Sequence, residues 1–146
     1  MQQHKSDSEI IAEIYRNAQL AIASISYILP EIEDADIKGE VLSEHEEYER
    51  IAAAAATLAK KYGLEIKDAN PVKKAMMWGA IKMNTATDKS KRNVAEMMIK
   101  GTVNGITCLK ASLTDGGENI DEEVKSLLKE LITLEEGYEK RLKKFI

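Results

Sequence analysis

Four side chains in this sequence could hold a metal ion. Glu44, His45 and Glu47 lie within one stretch with helical periodicity, and Glu135 lies in another. Carboxylate oxygens and imidazole nitrogens are ligands that iron and manganese accept in proteins. A single-metal or small-ligand site built from these four residues is therefore one hypothesis. It would make the protein a metal-dependent redox protein with an unconventional carboxylate site.

Glu44 and Glu135 also have a purely structural interpretation, because each falls on or beside an apolar stripe. A buried carboxylate without a partner is costly, and Tyr48, Tyr138, a lysine or an arginine could supply the hydrogen bond. His45 is expected at the flank of its helix. This interpretation outweighs the metal site, so no catalytic, cofactor-binding or metal-binding residue is assigned. No cofactor is predicted, with iron or manganese kept as the alternative.

The composition favours one helical domain over residues 1–146. The chain is 44% hydrophobic and 32% charged, has only two prolines, and carries a formal net charge of −4. Its length can enclose a core, and its many alanines, leucines, glutamates and lysines favour helix. The mild negative charge gives no basic surface, so nucleic acid is not an expected partner. The single cysteine, Cys108, excludes an internal disulfide and is expected to be a buried, unreactive thiol.

The distribution of apolar residues argues against a membrane protein. No apolar run reaches the roughly 18 residues that a membrane-spanning helix needs. The first residues, including His4, lack the apolar centre of a signal peptide. A soluble, cytoplasmic protein without a membrane partner is therefore expected.

Five helical segments follow from apolar spacing and from residues that start or stop helices. Ser6 and Glu9 form a capping box at the first start, and Asn70-Pro71 marks the third. Gly63 ends the second segment, and a glycine pair follows the fourth. The predicted helices span residues 6–30, 37–62, 71–84, 88–113 and 120–145.

The fourth helix is apolar around most of its circumference and is expected to be the most buried. Gly101 and Gly105 lie on one face of it, where close backbone packing would offset the cost of glycine in a helix. Trp78, on the third helix, is expected to close the bundle or to contact another subunit. The methionines are expected in the core, with a hydrophobic ligand pocket as the alternative; they are Met76, Met77, Met83, Met97 and Met98.

The connection between the second and fourth helices is long enough to cross the molecule. A helix of about 14 residues covers about 21 Å, and the remaining residues add roughly 30 Å if extended. The fourth helix can therefore run parallel to the second. Two antiparallel hairpins joined by a crossover containing a short extra helix form a ferritin-like four-helix bundle. In the alternative, the third and fourth helices form one continuous rod.

Three segments resemble the ferritin-like superfamily: the first resembles its second helix, and the other two resemble a bacterial branch to which no activity is assigned. They are LSEHEEYERI at 42–51, WGAIKMNT at 78–85 and AEMMIKGT at 95–102. The resemblance covers nearly the whole chain and implies the same all-α fold. It also implies a di-iron site, for which two helices each give a carboxylate and two others each give Glu-x-x-His.

The residues that this di-iron site requires are missing from the sequence. No Glu-x-x-His occurs, because Glu47 and Tyr138 stand where the histidines would be. The inward positions of the first and fourth helices offer no carboxylate; they are Ala18, Ile22, Ile25, Ser26, Gly101, Gly105 and Cys108. The resemblance therefore implies the fold without the oxidase or ferroxidase activity.

Three functions remain open at this point. The favoured one is an interaction or oligomeric structural module, assembled as a homo-oligomer and most simply as a dimer. The second is the metal-dependent redox protein, and the third is a binder of small hydrophobic ligands. The balance of the residues favours a protein that is not an enzyme.

Overall fold

The computed structural model describes residues 6–146, which form five α-helices and no strand. His4 lies outside the described residues. Three short 3-10 turns, Leu29–Glu31, Gly117–Asn119 and Lys143–Phe145, follow the first, fourth and fifth helices. The helices are α1 (Asp7–Ile28), α2 (Ala35–Lys61), α3 (Pro71–Thr87), α4 (Lys91–Gly116) and α5 (Glu122–Leu142). The predicted all-α class and all five helices are confirmed.

α1 and α3 begin where their capping residues predict, whereas α2, α4 and α5 begin within three residues of the predicted positions. The Ser6 hydroxyl accepts a hydrogen bond from the Glu9 backbone N–H at 3.2 Å. The Asn70 side chain accepts one from the backbone N–H of Val72 at 2.9 Å, directly before Pro71. Each bond satisfies a backbone donor that the first helical turn leaves without a partner.

The third and fourth helices are separate, so the continuous-rod alternative is wrong. Asp88 has extended backbone angles, and its side chain accepts a hydrogen bond from the Ser90 backbone N–H at 2.9 Å. Ser90 in turn caps α4 by accepting from the backbone N–H of Asn93 at 3.2 Å. These local hydrogen bonds compete with the backbone bonds of a helix, and they interrupt the helix between α3 and α4.

Four side-chain pairs give the relative direction of α2 and α5. Their residue numbers rise along α2 and fall along α5, so the two helices are antiparallel. The pairs are Glu40–Arg141 (2.7 Å), Tyr48–Glu135 (2.6 Å), Arg50–Glu130 (3.1 Å) and Lys61–Glu123 (2.6 Å). The most extensive helix contacts are α1 with α2 and α4 with α5. A core of aliphatic residues from these helices fills the space between them.

α3 lies against α1 and leaves one of its own faces uncovered. Two lysines, one on α3 and one just beyond it, hold the Glu31 carboxylate, with Lys82 Nζ at 2.5 Å and Lys89 Nζ at 3.1 Å. Only Ile81 and Thr85 of α3 are buried.

Several methionine and glycine positions differ from the sequence expectation. Met76 is 71% exposed and Met83 is 78% exposed, so neither belongs to the core. Trp78 is 50% exposed, which agrees with a surface position. At Gly101 a Cβ atom would meet nothing within 4 Å, so no helix packs closely there.

α4 is not the most buried helix, and this expectation is wrong. Its buried residues form one face that includes Val94, Met98 and Leu109, whereas Gly101 and Cys108 on the neighbouring flank are exposed. Ser26, expected inward on α1, is also exposed and donates a hydrogen bond to the Ile22 carbonyl at 2.9 Å. The physical reason for the exposure of the α4 flank is an open cleft between α1 and α4.

Across residues 6–146, none of the helices combines the length and apolar character that crossing a lipid bilayer requires.

A cleft with buried carboxyl groups at its floor

The cleft between α1 and α4 has a volume of about 790 Å³. Its walls are largely apolar and include Leu20 and Ala21 of α1, Met77 of α3, and Met97 of α4. The side chains of Glu44, Tyr48 and Glu135 from α2 and α5 form its floor. Glu44 and Glu135 are the buried carboxyl residues of α2 and α5, and both lie at the bottom of this one cavity.

Gly105 makes room for this floor. A Cβ atom on Gly105 would lie 2.9 Å from the Asn17 side-chain nitrogen and 3.0 Å from Glu135 Oε1. The neighbours of Gly105 are thus two polar side chains, whereas the sequence led us to expect close packing against a helix backbone. Asn17 comes from α1, so three helices meet at this point.

Glu135 is 2% exposed and is held from two sides. The Tyr48 hydroxyl donates to Glu135 Oε2 at 2.6 Å, and the Asn17 side chain also hydrogen-bonds the carboxylate. Burial raises the pKa of Glu135 to about 7, and the two hydrogen bonds limit that rise because they favour the ionised form. Glu135 Oε1 and Asn17 Oδ1 are buried and have no hydrogen-bond partner among residues 6–146.

Glu44 is 1% exposed and forms a carboxyl pair with Glu40. Burial first, and then the hydrogen bond to Glu40, raises the pKa of Glu44 to about 9. Two carboxyl groups can share a hydrogen bond only if one of them carries a proton. The pair therefore holds a proton at neutral pH. Glu40 has a further partner, because Arg141 Nε donates a hydrogen bond to Glu40 Oε1 at 2.7 Å.

Two tyrosines complete the polar cluster. The rings of Tyr48 and Tyr138 lie with centroids 5.3 Å apart, and the Arg141 guanidinium lies 5.4 Å from the centroid of the Tyr138 ring. Burial raises the pKa of both phenols above the usual range, and nearby glutamates raise it further. Both hydroxyl groups therefore stay protonated, and the Tyr48 hydroxyl has the proton that it donates to Glu135.

The four residues considered for a metal site lie in three separate places. Glu44 and Glu135 lie at the cleft floor, but His45 Nδ1 pairs with Glu49 at 2.7 Å and lies at the helix flank. Glu47 pairs with Arg50 at 2.9 Å, and Arg50 also contacts Glu130. The interpretation of Glu44 and Glu135 as hydrogen-bonded buried carboxyls agrees with this placement, with Tyr48 as the partner of Glu135.

The residues present do not fit the two-metal centre that the ferritin-like resemblance implies. Within 6–146, no three side chains among the histidines, the cysteine, the aspartates and the glutamates lie together in positions suited to one metal ion. Two close cations need several anionic oxygens, and one carboxyl of this cluster keeps its proton at neutral pH.

Sequence reasoning missed three members of the cluster: Asn17, Glu40 and Arg141. Asn17 directly precedes the buried Ala18, and a polar residue at the edge of an apolar stripe carries no distinct signal. Gly105 was the available clue, because glycine inside a helix often marks a close approach. Met77, Met97 and Met98 line the cleft, as the alternative of a methionine-lined pocket predicted, while Met76 and Met83 do not.

No protein-family model, curated protein or solved structure matches this chain.

Proposed function

We propose that the protein is a small-molecule-binding domain whose ligand enters the cleft between α1 and α4. The observation that carries this proposal is the cavity itself, about 790 Å³, with apolar walls and a buried polar floor. Ligand sites are concave, measure roughly 300–1,000 Å³ and combine apolar walls with few polar groups. The third sequence hypothesis, a binder of hydrophobic ligands, thus gains the most support.

The binding mode follows from the arrangement of the cleft. The apolar part of the ligand packs against Leu20, Met77 and Met97, where the unbranched methionines can adjust to its shape. Its polar end reaches the floor around Glu135. A ligand held in this way is recognised by shape along its length and by hydrogen bonds at one end.

The helix arrangement that we propose around this cleft is the ferritin-like four-helix bundle, with α3 in the crossover. Two observations support it. Hydrogen-bonded side-chain pairs show that α2 and α5 are antiparallel. Ser112, near the end of α4, donates a hydrogen bond to Glu13, near the start of α1. In this arrangement, Glu44 and Glu135 occupy positions where the resemblance implies metal-binding carboxylates. The cleft would then be a metal site converted to ligand binding.

The test uses Nile red, a neutral dye whose fluorescence rises in apolar surroundings. A Gly101→Phe substitution should fill the cleft, because Gly101 lines it and a Cβ there meets no other atom within 4 Å. Thr107→Phe is the matched control, since Thr107 is an exposed residue of the same helix that does not line the cleft. We expect saturable dye binding to the parent and to the control, and loss of binding in Gly101→Phe.

Equal dye binding by Gly101→Phe and the parent would show that the cleft is not the site and would overturn the proposal. The same conclusion would follow if the parent gave no saturable signal. Circular dichroism of each variant establishes that the helices are retained before the titrations are compared.

A second candidate function is the interaction or oligomeric module favoured by the sequence. The exposed face of α3 supports it: Val72, Met76 and Met83 share one side of the helix and are each at least 66% exposed. Apolar residues clustered on a surface mark protein contacts more often than isolated ones do. The partner that we propose is a second copy of this chain, forming a dimer.

Sedimentation velocity tests the dimer directly. We expect the parent to be dimeric at micromolar concentration and a Met76→Ser/Met83→Ser double variant to be monomeric. Met77→Ser, on the cleft side of the same helix, should leave the dimer intact. A monomeric parent would contradict this candidate, whereas it would not affect ligand binding in the cleft.

A further inference from the structure

Besides Glu44 Oε2, which belongs to the Glu40–Glu44 pair, two oxygen atoms at the floor of the cleft lack a hydrogen-bond donor within residues 6–146. Glu135 Oε1 and Asn17 Oδ1 are both buried, and neither has a partner among the described side chains. They belong to side chains that hydrogen-bond each other and that both line the cleft. A buried acceptor without a donor costs free energy, so a group bound here gains most by donating to both oxygens.

The surroundings limit what this group can be. Tyr48 already donates to Glu135 Oε2 at 2.6 Å, and the Glu40–Glu44 pair holds its own proton with help from Arg141. Glu135 Oε1 and Asn17 Oδ1 are then the acceptors at the floor that still lack a donor in the described part of the chain. A ligand carboxylate or phosphate would add further acceptors and a negative charge beside Glu135, which is unfavourable.

We infer that the cleft binds a primary amine carried on an apolar chain, with the ammonium group between Glu135 Oε1 and Asn17 Oδ1. This inference rests on the proposed function, since it names the ligand class for the same cleft. An ammonium group has three donors and no acceptor, and its bond to a carboxylate is charge-assisted. Water or an alcohol can donate to these oxygens but brings no positive charge to Glu135.

The cations near the cleft do not oppose this assignment. Arg16 and Lys73 line the cavity, but both side chains are exposed, so solvent and salt screen their charges. Glu135, in contrast, is shielded from water at the floor. The attraction between a bound ammonium group and Glu135 is therefore stronger than its repulsion by either exposed cation.

The experiment compares three probes of equal chain length by isothermal titration calorimetry: n-hexylamine, 1-hexanol and hexanoate. We expect the parent protein to bind hexylamine roughly tenfold or more tightly than hexanol, with hexanoate weakest. Glu135→Gln keeps the size of the side chain but removes its charge, so it should abolish the preference for hexylamine. Glu136→Gln, an exposed neighbour paired with Lys110 at 3.1 Å, is the matched control and should keep it.

A second pair of variants covers the case in which Glu135→Gln does not fold. Gly105→Ala places a methyl group against Asn17 and Glu135 and should weaken hexylamine binding, whereas Gly101→Ala meets no neighbour within 4 Å and should not. Hexylamine and hexanol binding with equal affinity would overturn the amine assignment while leaving the cleft as a binding site. Failure of all three probes to bind at millimolar concentration would overturn the amine assignment, and the Nile red titration would then decide separately on the cleft.

Discussion

Glu44 and Glu135 lose their contact with water on folding, and both carboxyl groups then hold a proton more tightly than an exposed glutamate does. Their pKa values rise from the ordinary 4.5 to about 9 and about 7, chiefly through burial. Between about pH 4.5 and about pH 9, the folded chain therefore binds more protons than the unfolded chain. Their contribution to stability is therefore complete below about pH 4.5 and is lost as the pH rises through about 7 and then about 9.

Urea unfolding at several pH values tests this linkage. We expect the unfolding midpoint to fall between about pH 5 and about pH 9. A Glu44→Gln/Glu135→Gln double variant should lose most of that dependence, because neither amide titrates. Glu136→Gln, which changes an exposed glutamate, should retain it. A double variant with the slope of the parent would show that other groups cause the pH dependence.

Tyr48 is predicted to control the ionisation of Glu135. Tyr48→Phe removes the hydroxyl that donates to Glu135 at 2.6 Å, and this bond lowers the pKa of the carboxyl. The pKa of Glu135 should therefore rise above about 7, and the free energy of unfolding should fall by about 1–3 kcal/mol. Carbon-13 NMR titration of the glutamate carboxyls measures the first effect. Tyr27→Phe, at a half-buried tyrosine of α1, is the control, and the same titration in both variants would contradict the prediction.

Within α4, two glycines one helical turn apart should respond differently to alanine. Gly101→Ala should stabilise the protein by about 0.5–1 kcal/mol, because alanine favours helix and nothing lies within 4 Å of the new methyl group. At Gly105, the methyl group would lie 2.9 Å from Asn17 Nδ2 and 3.0 Å from Glu135 Oε1, which should cancel this gain. Thermal unfolding measures the difference, and equal stabilisation of both variants would refute the close contact at Gly105.

The end of α4 should be sensitive to a single methyl group. A Cβ on Gly116 would overlap the buried Ile120 side chain and lie 2.9 Å from Ile10 Cδ1. Gly116→Ala is therefore expected to lower the free energy of unfolding by about 1–3 kcal/mol, as overpacking does. Gly39→Ala in α2 meets no atom within 4 Å and serves as the control in denaturant titrations. A Gly116→Ala variant as stable as Gly39→Ala would count against this packing.

Helix positions could be predicted from the sequence because their causes are local. Ser6 and Asn70 cap helices through bonds within three residues, and the stripe from Ile37 to Ala55 needs only a period of 3.6. The burial of α4 could not be predicted in the same way. Periodicity shows that a helix has apolar sides, but it does not show whether another helix covers each of them. Gly101 and Cys108 lie on a side that no helix covers.

At the scale of the whole molecule, the cleft is the feature that could not be predicted from the sequence. Glu44 and Glu135 could be recognised as unusual from their apolar neighbours alone. Asn17 and Arg141 join them from the two ends of the chain, through contacts that depend on how α1 and α5 are placed. The separation of His45 and Glu47 from this floor likewise depends on which residues of α2 face α5.

Cys108 gives a measurement of whether the cleft is open in solution. It is the single cysteine, it is exposed, and it lines the cleft. We expect a maleimide reagent to modify the native protein readily and Nile red to slow the reaction. Thr107→Cys in a Cys108→Ser background places the thiol outside the cleft and should react without protection. An unreactive Cys108 in the native protein would show that this flank of α4 is covered.

Trp78 has a consequence for spectroscopy. It is the only tryptophan of the chain, and half of its surface is exposed. It lies on α3, of which only Ile81 and Thr85 are buried. Its emission in the folded protein should already resemble that of an indole in water. Fluorescence would then follow what happens to α3, including the approach of a second subunit, and would report poorly on melting of the core. Far-ultraviolet circular dichroism and fluorescence should accordingly give different transitions if α3 detaches before the other helices unfold.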